Sequence, residues 1–232
     1  MKEGGIIVAA SAAILFLSCD RRIALEKNFI MCSAVWHSFS TCVCMPTLFP
    51  VEVNLPPGFR YFPDFISNEE EEKLHWEILN ISLNPMVFHG FEAKRKVASF
   101  GCHWSFTSKT LTKGTEIPET FHPLILRISD QLAIDADKFC ELLITEYPVG
   151  SVINWHRDAP PFELIAGISL LSDCTLRFRP CDKEIQNRKS IVALPVAPRS
   201  LYLISGEART DWEHSIPAVK QVRYSITVRT LK

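Results

Sequence analysis

Phe139-Cys140-Glu141-Leu142-Leu143-Ile144-Thr145-Glu146-Tyr147 opens the part of the chain that decides its fold. From here on the sequence breaks into short strand-like runs at 139–147, 152–156, 164–171, 175–179, 190–194, 200–204 and 223–230, separated by Pro, Gly, Asp or Asn. Their β-branched and aromatic residues suit a pleated, half-buried surface. Seven such runs predict a β-sandwich of jelly-roll type. Upstream the period changes from two to about 3.6 residues. Ser67-Asn68-Glu69-Glu70 has the form of a capping box, and Leu74, Ile78 and Ile81 follow at helical spacing, which predicts a helix over 68–82. Its four glutamates, Glu69 to Glu72, suit the positive end of the helix dipole. Leu124, Ile128, Leu132 and Ala136 predict a second helix from Pro118 or Glu119 to Asp137. Phe59–Phe62 and Val97–Phe106 read as further strands. The expected class is α+β, mainly β, with two N-terminal helices buttressing one sheet.

The first fifty residues differ from the rest. Gly4 to Ser18 is an apolar run too short for a comfortable membrane span. It has some features of a secretory signal core, but Lys2 is followed at once by Glu3. Residues 1–50 therefore read as an N-terminal extension, either weakly signal-like or an upstream start with Met31 or Met45 as the working one. The domain is expected over 51–232, with Leu55-Pro56-Pro57-Gly58 punctuating its start. A formal net charge of −1 on 232 residues points to no nucleic-acid partner through the whole-chain field, although a local basic patch is compatible with it. The eight cysteines form no compact disulfide framework, and Cys42-Val43-Cys44 lacks zinc-knuckle spacing. Free thiols in a reducing, cytoplasmic compartment are expected.

Four residues in the last third carry the chemistry. His156 and Asp158 lie two apart in Asn154-Trp155-His156-Arg157-Asp158, so both would face one side if the strand continued. His214 follows in Asp211-Trp212-Glu213-His214. Two imidazoles and a carboxylate form the facial triad that holds non-haem Fe(II) with positions left open. Arg223 and Arg229 are six apart, so both can face the same side of the final strand. Inward arginines are costly unless paired with carboxylates, and an arginine fork matches a carboxylate. Alone, each residue has a plainer reading: a loop histidine, a surface His–Asp pair, edge-strand arginines. Together they predict an iron enzyme that uses a dicarboxylate and oxygen.

The ordered set Leu143-Ile144-Thr145-Glu146-Tyr147, His156-Arg157-Asp158, His214 and Arg223-Tyr224-Ser225-Ile226-Thr227-Val228-Arg229 resembles the AlkB family of 2-oxoglutarate- and Fe(II)-dependent dioxygenases. The resemblance covers 51–232 and implies a double-stranded β-helix, the jelly roll with iron at one mouth. It implies His156, Asp158 and His214 as metal ligands. Arg223 would hold the distal carboxylate of 2-oxoglutarate, and Arg229, Tyr147 and Thr145 would make further contacts to it. The implied reaction consumes 2-oxoglutarate and O2 and gives succinate, CO2 and a hydroxylated carbon. From an N-methyl group the product collapses to formaldehyde and a free amine. It requires no catalytic base. Two positions depart from the family pattern. Thr145 stands where Asn is common, and Pro160 stands where repair members often carry an acidic residue near the target base.

Family analogy puts the substrate before the second helix, where Lys94, Arg95 and Lys96 are followed by Phe100, His103, Trp104 and Phe106. Cations beside aromatics suit a strand with an extruded base. Lys94, Arg95, Lys96, Phe100, Trp104 and Pro160 are thus the candidate substrate contacts. The leading expectation is oxidative demethylation of alkylated bases in DNA or RNA, a DNA-repair chemistry, with no stable protein partner. One alternative is the same chemistry on a protein or small molecule. Another is a non-catalytic binding module anchored to a membrane by residues 1–19.

Overall fold

The computed structural model describes residues 55–232, except His89. The expectations for residues 1–50, and the domain start at Val51, lie outside the described residues. In chain order the elements are β1 (Phe59–Phe62), α1 (Asn68–Leu79), β2 (Asn84–Phe88), β3 (Phe91–Ser105), β4 (Thr110–Lys113) and α2 (His122–Leu132). Then come β5 (Phe139–Tyr147), β6 (Ile153–His156), β7 (Phe162–Leu170), β8 (Cys174–Pro180), β9 (Val192–Val196) and β10 (Leu201–Ile204). A short helix α3 (Gly206–Thr210), β11 (Trp212–Ile216) and β12 (Arg223–Leu231) complete the fold.

Two antiparallel sheets face each other, as the jelly-roll expectation requires. The larger runs β1-β10-β7-β12-β5-β3-β2, with β4 paired to β3. The smaller runs β6-β11-β8-β9. Alternation along β12 shows why the layers form. Tyr224, Ile226 and Val228 join the core beneath the helices with Leu74, Ile78, Leu124, Ile128 and Leu132. The intervening Arg223, Ser225, Thr227 and Arg229 face the other way, toward the smaller sheet. A second apolar cluster, including Tyr147, Ile165, Leu176, Phe178, Tyr202 and Ile204, fills the space between the sheets. Both helices buttress the larger sheet.

Several boundaries differ from the sequence expectation. The capping box forms: Glu70 N donates to Ser67 Oγ at 3.2 Å and Ser67 N donates to Glu70 Oε2 at 2.7 Å. Yet α1 stops at Leu79 rather than 82. The second helix is broken, because Ala133 adopts left-handed backbone at φ 55° and ends α2 at Leu132. A 3-10 turn at Glu119–Phe121 precedes it, and another at Ala136–Lys138 follows. Strand β3 starts six residues before the expected Val97, and a bend at Gly101 redirects it. Its φ is +79°, and a Cβ there would lie 2.1 Å from Cys140 O. Up to Gly101 the strand pairs with β5, and beyond it with β4. Strands β2, β4 and β11 were not expected. The four described cysteines, Cys102, Cys140, Cys174 and Cys181, are free thiols. Among the described residues no helix is long and apolar enough to cross a membrane.

Candidate active site

The larger sheet presents its inner face as rows of register-paired residues. Arg223 and Tyr147 form the first row, and Ser169, Ser225 and Thr145 the second. Tyr202, Gly167, Thr227 and Leu143 form the third, and Ile204, Ile165, Arg229 and Glu141 the fourth. Polar groups thus run down an otherwise apolar layer from Arg223 to Arg229. β12 lies between β5 and β7, so its arginines are not solubilising charges on an edge.

His156 and His214 are register partners on β6 and β11 of the smaller sheet, with ring centroids 4.3 Å apart. With Asp158 they bring three ligand atoms within 4.8 Å of one another. Asp158 is not on the strand with His156, since β6 ends at His156. Side-chain hydrogen bonds from elsewhere hold it instead. Arg229 Nη2 donates to Asp158 Oδ1 at 3.2 Å, and Arg209 Nη2 donates to the backbone oxygens of Asp158 and Ala159 at 3.1 and 2.6 Å. His156 Nδ1 lies 2.8 Å from Asn154 O, so a protonated Nδ1 donates there and leaves Nε2 bare.

Electrostatics favour metal-ready protonation states. Burial opposes the Asp158 charge, but Arg229, then His214, His156 and Arg209, outweigh it and hold the carboxyl well below the usual range. Burial pushes His214 down to about 4, against the pull of Asp158. Although His214 Nε2 is 3.4 Å from Asp158 Oδ2, the two are therefore a neutral imidazole and a carboxylate at pH 7, not an ion pair. A neutral His214, an ionised Asp158 and the Nε2 of His156, all within 4.8 Å of one another, are a fitting donor set for Fe(II).

Arg223 is 1% exposed. Its Nε donates to Ser169 Oγ at 3.2 Å, and its guanidinium carbon lies 4.8 Å from the centroid of the Tyr147 ring. Neither Nη atom has a hydrogen-bond partner among the described residues. Burial works against its charge, but Cys174, Tyr147 and Tyr202 more than offset that and keep it cationic. A buried guanidinium with two idle donors calls for an acceptor, and a carboxylate matches that fork. Tyr147 OH is 3.3 Å from Ser225 Oγ. Thr145 is buried in the same row as Ser225. Arg229 is more committed: Nη1 donates to Glu141 Oε2 at 2.7 Å and Nη2 to Asp158, while its buried Nε has no partner among the described residues.

The sequence reading missed Glu141 and Arg209. A single buried acid inside β5 and an arginine on a five-residue helix carry no motif of their own. Only the even spacing of Glu141 from Thr145 and Tyr147, which puts all three on one strand face, hinted at the first.

The expected substrate residues are only partly brought together. Lys94, Arg95 and Lys96 lie on strand β3, not on a basic turn, so alternation splits them. Lys96 pairs with Glu146 at 3.3 Å, and Arg95 donates to Met86 Sδ at 2.8 Å. Lys94 is exposed. Phe100 packs against the core beneath the helices, on the face of the sheet away from the metal-ligand cluster. Trp104 lies beyond the Gly101 bend and pairs with Leu111 of β4. Pro160 does reach the site. It lines a cavity of about 460 Å³ with Phe106, Arg157, Asp158, Arg209 and Lys232.

Comparison with known proteins agrees with this geometry. Residues 58–229 match the family model of the 2OG-Fe(II) oxygenase superfamily. The alkylated DNA repair protein ALKBH8 homolog of Arabidopsis thaliana is 31% identical over 206 residues, covering 75% of this chain and 55% of that protein. The DNA oxidative demethylase ALKBH2 of Homo sapiens is 30% identical over 152 residues, covering 59% of this chain and 56% of that one. The chain thus spans about half the length of these curated relatives. The structure of OsALKBH1 superimposes with a TM-score of 0.58 over 76% of this chain and 98% of that one, at 13% identity, which shows a shared fold. The chain is an AlkB-like member of the 2OG-Fe(II) oxygenase superfamily, which works with Fe(II), 2-oxoglutarate and O2.

Proposed function

We propose that this chain is a dioxygenase that oxidatively demethylates alkylated bases in DNA or RNA, releasing formaldehyde, succinate and CO2. The observation that carries the reading is the His156, Asp158 and His214 cluster beside a buried Arg223 with two idle donors. The names of the plant and human relatives support nucleic acid as the substrate class. So does the mouth beside Asp158, where Arg157 and Lys232 offer exposed charge next to Phe106 and Pro160. The catalytic domain would be 51–232, with 1–50 an extension.

In this reading His156 Nε2, Asp158 and His214 hold Fe(II). The bound metal, with 2-oxoglutarate and O2, supplies the oxidising power that splits the co-substrate to succinate and CO2 and hydroxylates a substrate C–H bond. The protein's own groups bind and orient. Arg223 takes the distal carboxylate through its two Nη atoms. Tyr147 and Thr145 border the same pocket. Arg229 fixes Asp158 while Glu141 fixes Arg229, so the ligand carboxylate is held in one orientation. Arg209 ties down the backbone at Asp158 and Ala159. Hydroxylation of an N-methyl carbon gives a hemiaminal, which collapses to formaldehyde and the free amine without a base from the protein.

The test is succinate and formaldehyde release by the full chain with Fe(II), ascorbate and 2-oxoglutarate, with and without a methylated single-stranded oligonucleotide. The expected result is oligonucleotide-stimulated turnover with formaldehyde. Succinate formation that no methylated oligonucleotide stimulates would move the substrate to proteins or small molecules. A His156→Ala protein should lose bound iron and turnover together.

A further inference from the structure

We infer that Cys102 and Cys140 are a reversible modification site, a cross-strand thiol pair that a small-molecule disulfide such as oxidised glutathione closes by exchange, tying the root of the β3–β4 hairpin to β5. Neither residue belongs to the motifs that mark the metal and co-substrate groups, and the inference does not depend on the proposed activity.

Six consecutive residue pairs join β3 to β5, from Lys96 opposite Glu146 to Gly101 opposite Glu141. One step further along the same register stand Cys102 and Cys140. Residues directly opposite on antiparallel strands have Cα atoms about 4.5–5.5 Å apart. That lies inside the range of about 4.4–6.8 Å that a disulfide spans. The bend at Gly101 holds the strands close at this point, since a Cβ at 101 would lie 2.1 Å from Cys140 O. The foot of the β3–β4 hairpin closes here too. Gly101 N donates to Thr115 O and Gly114 N donates to Gly101 O, both at 2.6 Å, and Cys102 lies opposite Lys113. Beyond its pairing with β4 the chain reaches Phe106, which lines the cavity beside Asp158. The tie would therefore be made at the root of a segment that borders the mouth.

Both thiols are half-buried and free, so a small solute can reach them. They also act on one another. Burial first, then a side-chain hydrogen bond and charge from Cys102, then Glu141, push the Cys140 thiol up to about 12. Its Sγ donates to Arg229 O at 3.5 Å. Cys174 and Cys181 differ, because no other cysteine is among the groups acting on either. Cys140 is thus kept protonated, and Cys102 is the thiol that meets the oxidant. The Cys102 thiolate attacks one sulfur of glutathione disulfide, forms a mixed disulfide and expels one glutathione thiolate. Capping Cys102 removes its share in holding the Cys140 proton. Cys140 then gives that proton to solvent and attacks the Cys102 sulfur, and the second glutathione thiolate leaves. Two protein thiols are oxidised and one small disulfide is reduced to two thiols. Such transient disulfides belong to reducing compartments, where static ones are rare.

The test uses the reduced full chain, equilibrated in glutathione buffers of rising oxidised fraction, alkylated and mapped by peptide mass. A Cys102–Cys140 disulfide should form, open again with dithiothreitol, and appear at about tenfold less oxidised glutathione than any change at Cys174 or Cys181, because a neighbouring thiol acts at high effective concentration. Cys140→Ser should retain one glutathione on Cys102, whereas Cys102→Ser should leave Cys140 unmodified. Hydrogen exchange of the amides at Cys102–Ser105 and Thr110–Lys113 should slow by about tenfold or more on oxidation, since opening the hairpin then has to work against the tie. The same buffer should leave those amides unchanged in Cys140→Ser. Failure to form the disulfide would overturn the inference, as would pairing of either thiol with a cysteine of the first fifty residues. So would a mapped disulfide that leaves the hairpin amides exchanging as before. Should a serine variant fail to fold, mapping and exchange on the parent chain decide alone.

Discussion

Replacing Glu141 with Gln tests how the site is held together, because Glu141 touches no proposed ligand. Glu141 is 5% exposed, and its carboxylate accepts from Arg229 Nη1 at 2.7 Å and from Ser99 Oγ at 3.1 Å. Gln keeps the volume and one acceptor but removes the charge. Arg229 is then buried with Asp158 as its sole counter-charge, and its Nε already lacks a partner among the described residues. Removing one member of a buried ion pair costs about 3–5 kcal/mol, and the retained acceptor puts Glu141→Gln near the low end, about 3 kcal/mol. For a domain of this size that is a fall in Tm of about 6–12 °C. Because Arg229 also orients Asp158, metal affinity should fall about tenfold, as for loss of other outer-sphere partners. Thermal melts of metal-free protein and Co(II) titration read the two effects separately. Glu141→Leu with Arg229→Met removes both charges but leaves buried Asp158 without its arginine, so the double variant should stay destabilised rather than return to the parent's stability. A melt of Glu141→Gln within about 2 °C of the parent would refute the reasoning, because such a small shift corresponds to under about 1 kcal/mol.

Arg223→Ala removes both donors of the fork and should raise the 2-oxoglutarate KM about a hundredfold or more, read from succinate formation against co-substrate concentration. An unchanged requirement would remove Arg223 from the pocket. Arg209→Met deletes the hydrogen bonds to the Asp158 and Ala159 carbonyls. It should cost about 2–3 kcal/mol in stability and weaken Co(II) binding, and a variant that melts normally but binds metal poorly would place the effect in the loop alone. His214 in the metal-free protein has its pKa lowered to about 4 from the ordinary 6.5. The unfolded chain then binds the extra proton first, so stability is full above pH about 6.5 and declines by about 3 kcal/mol as pH falls to about 4. Flat denaturant midpoints across that window would contradict a buried neutral His214.

What was legible in the sequence followed from alternation and punctuation. β5 was legible at both ends because Phe139 to Tyr147 is a continuous strand-forming run bounded by a 3-10 turn and Pro148. β12 was legible because its two faces differ so sharply. β11 was not, because Trp212-Glu213-His214-Ser215-Ile216 is too short and too polar to show a period, and its pairing with β6 and β8 supplies the order. The triad was legible as a set of residue types, but its geometric argument was only half correct. His156 and His214 meet as strand partners, whereas Asp158 is carried into place by Arg229 and Arg209 from past the end of β6. The basic run at 94–96 misled for the opposite reason. Adjacent cations look like one patch in a sequence, but on a strand they divide between faces, and Lys96 and Arg95 find separate partners.

The inner face of the larger sheet explains why sequence patterning was unusually informative at β12 and silent at β7 and β10. A strand buried on both sides ordinarily reads as continuous apolar sequence. β12 breaks that rule at Arg223, Ser225, Thr227 and Arg229, and a break of that kind needs compensation elsewhere. Arg229 has it inside the protein, from Glu141 and Asp158. Arg223 does not, since only its Nε is answered among the described residues. The strand therefore carries, six residues apart, one arginine paired within its own chain and one whose two Nη atoms have no partner among the described residues. In the proposed function that asymmetry separates the residue that would hold the metal-binding carboxylate from the residue that would take the co-substrate's anion. It appears only once the register of β5, β7 and β12 is known, because the sequence presents the two arginines as equals.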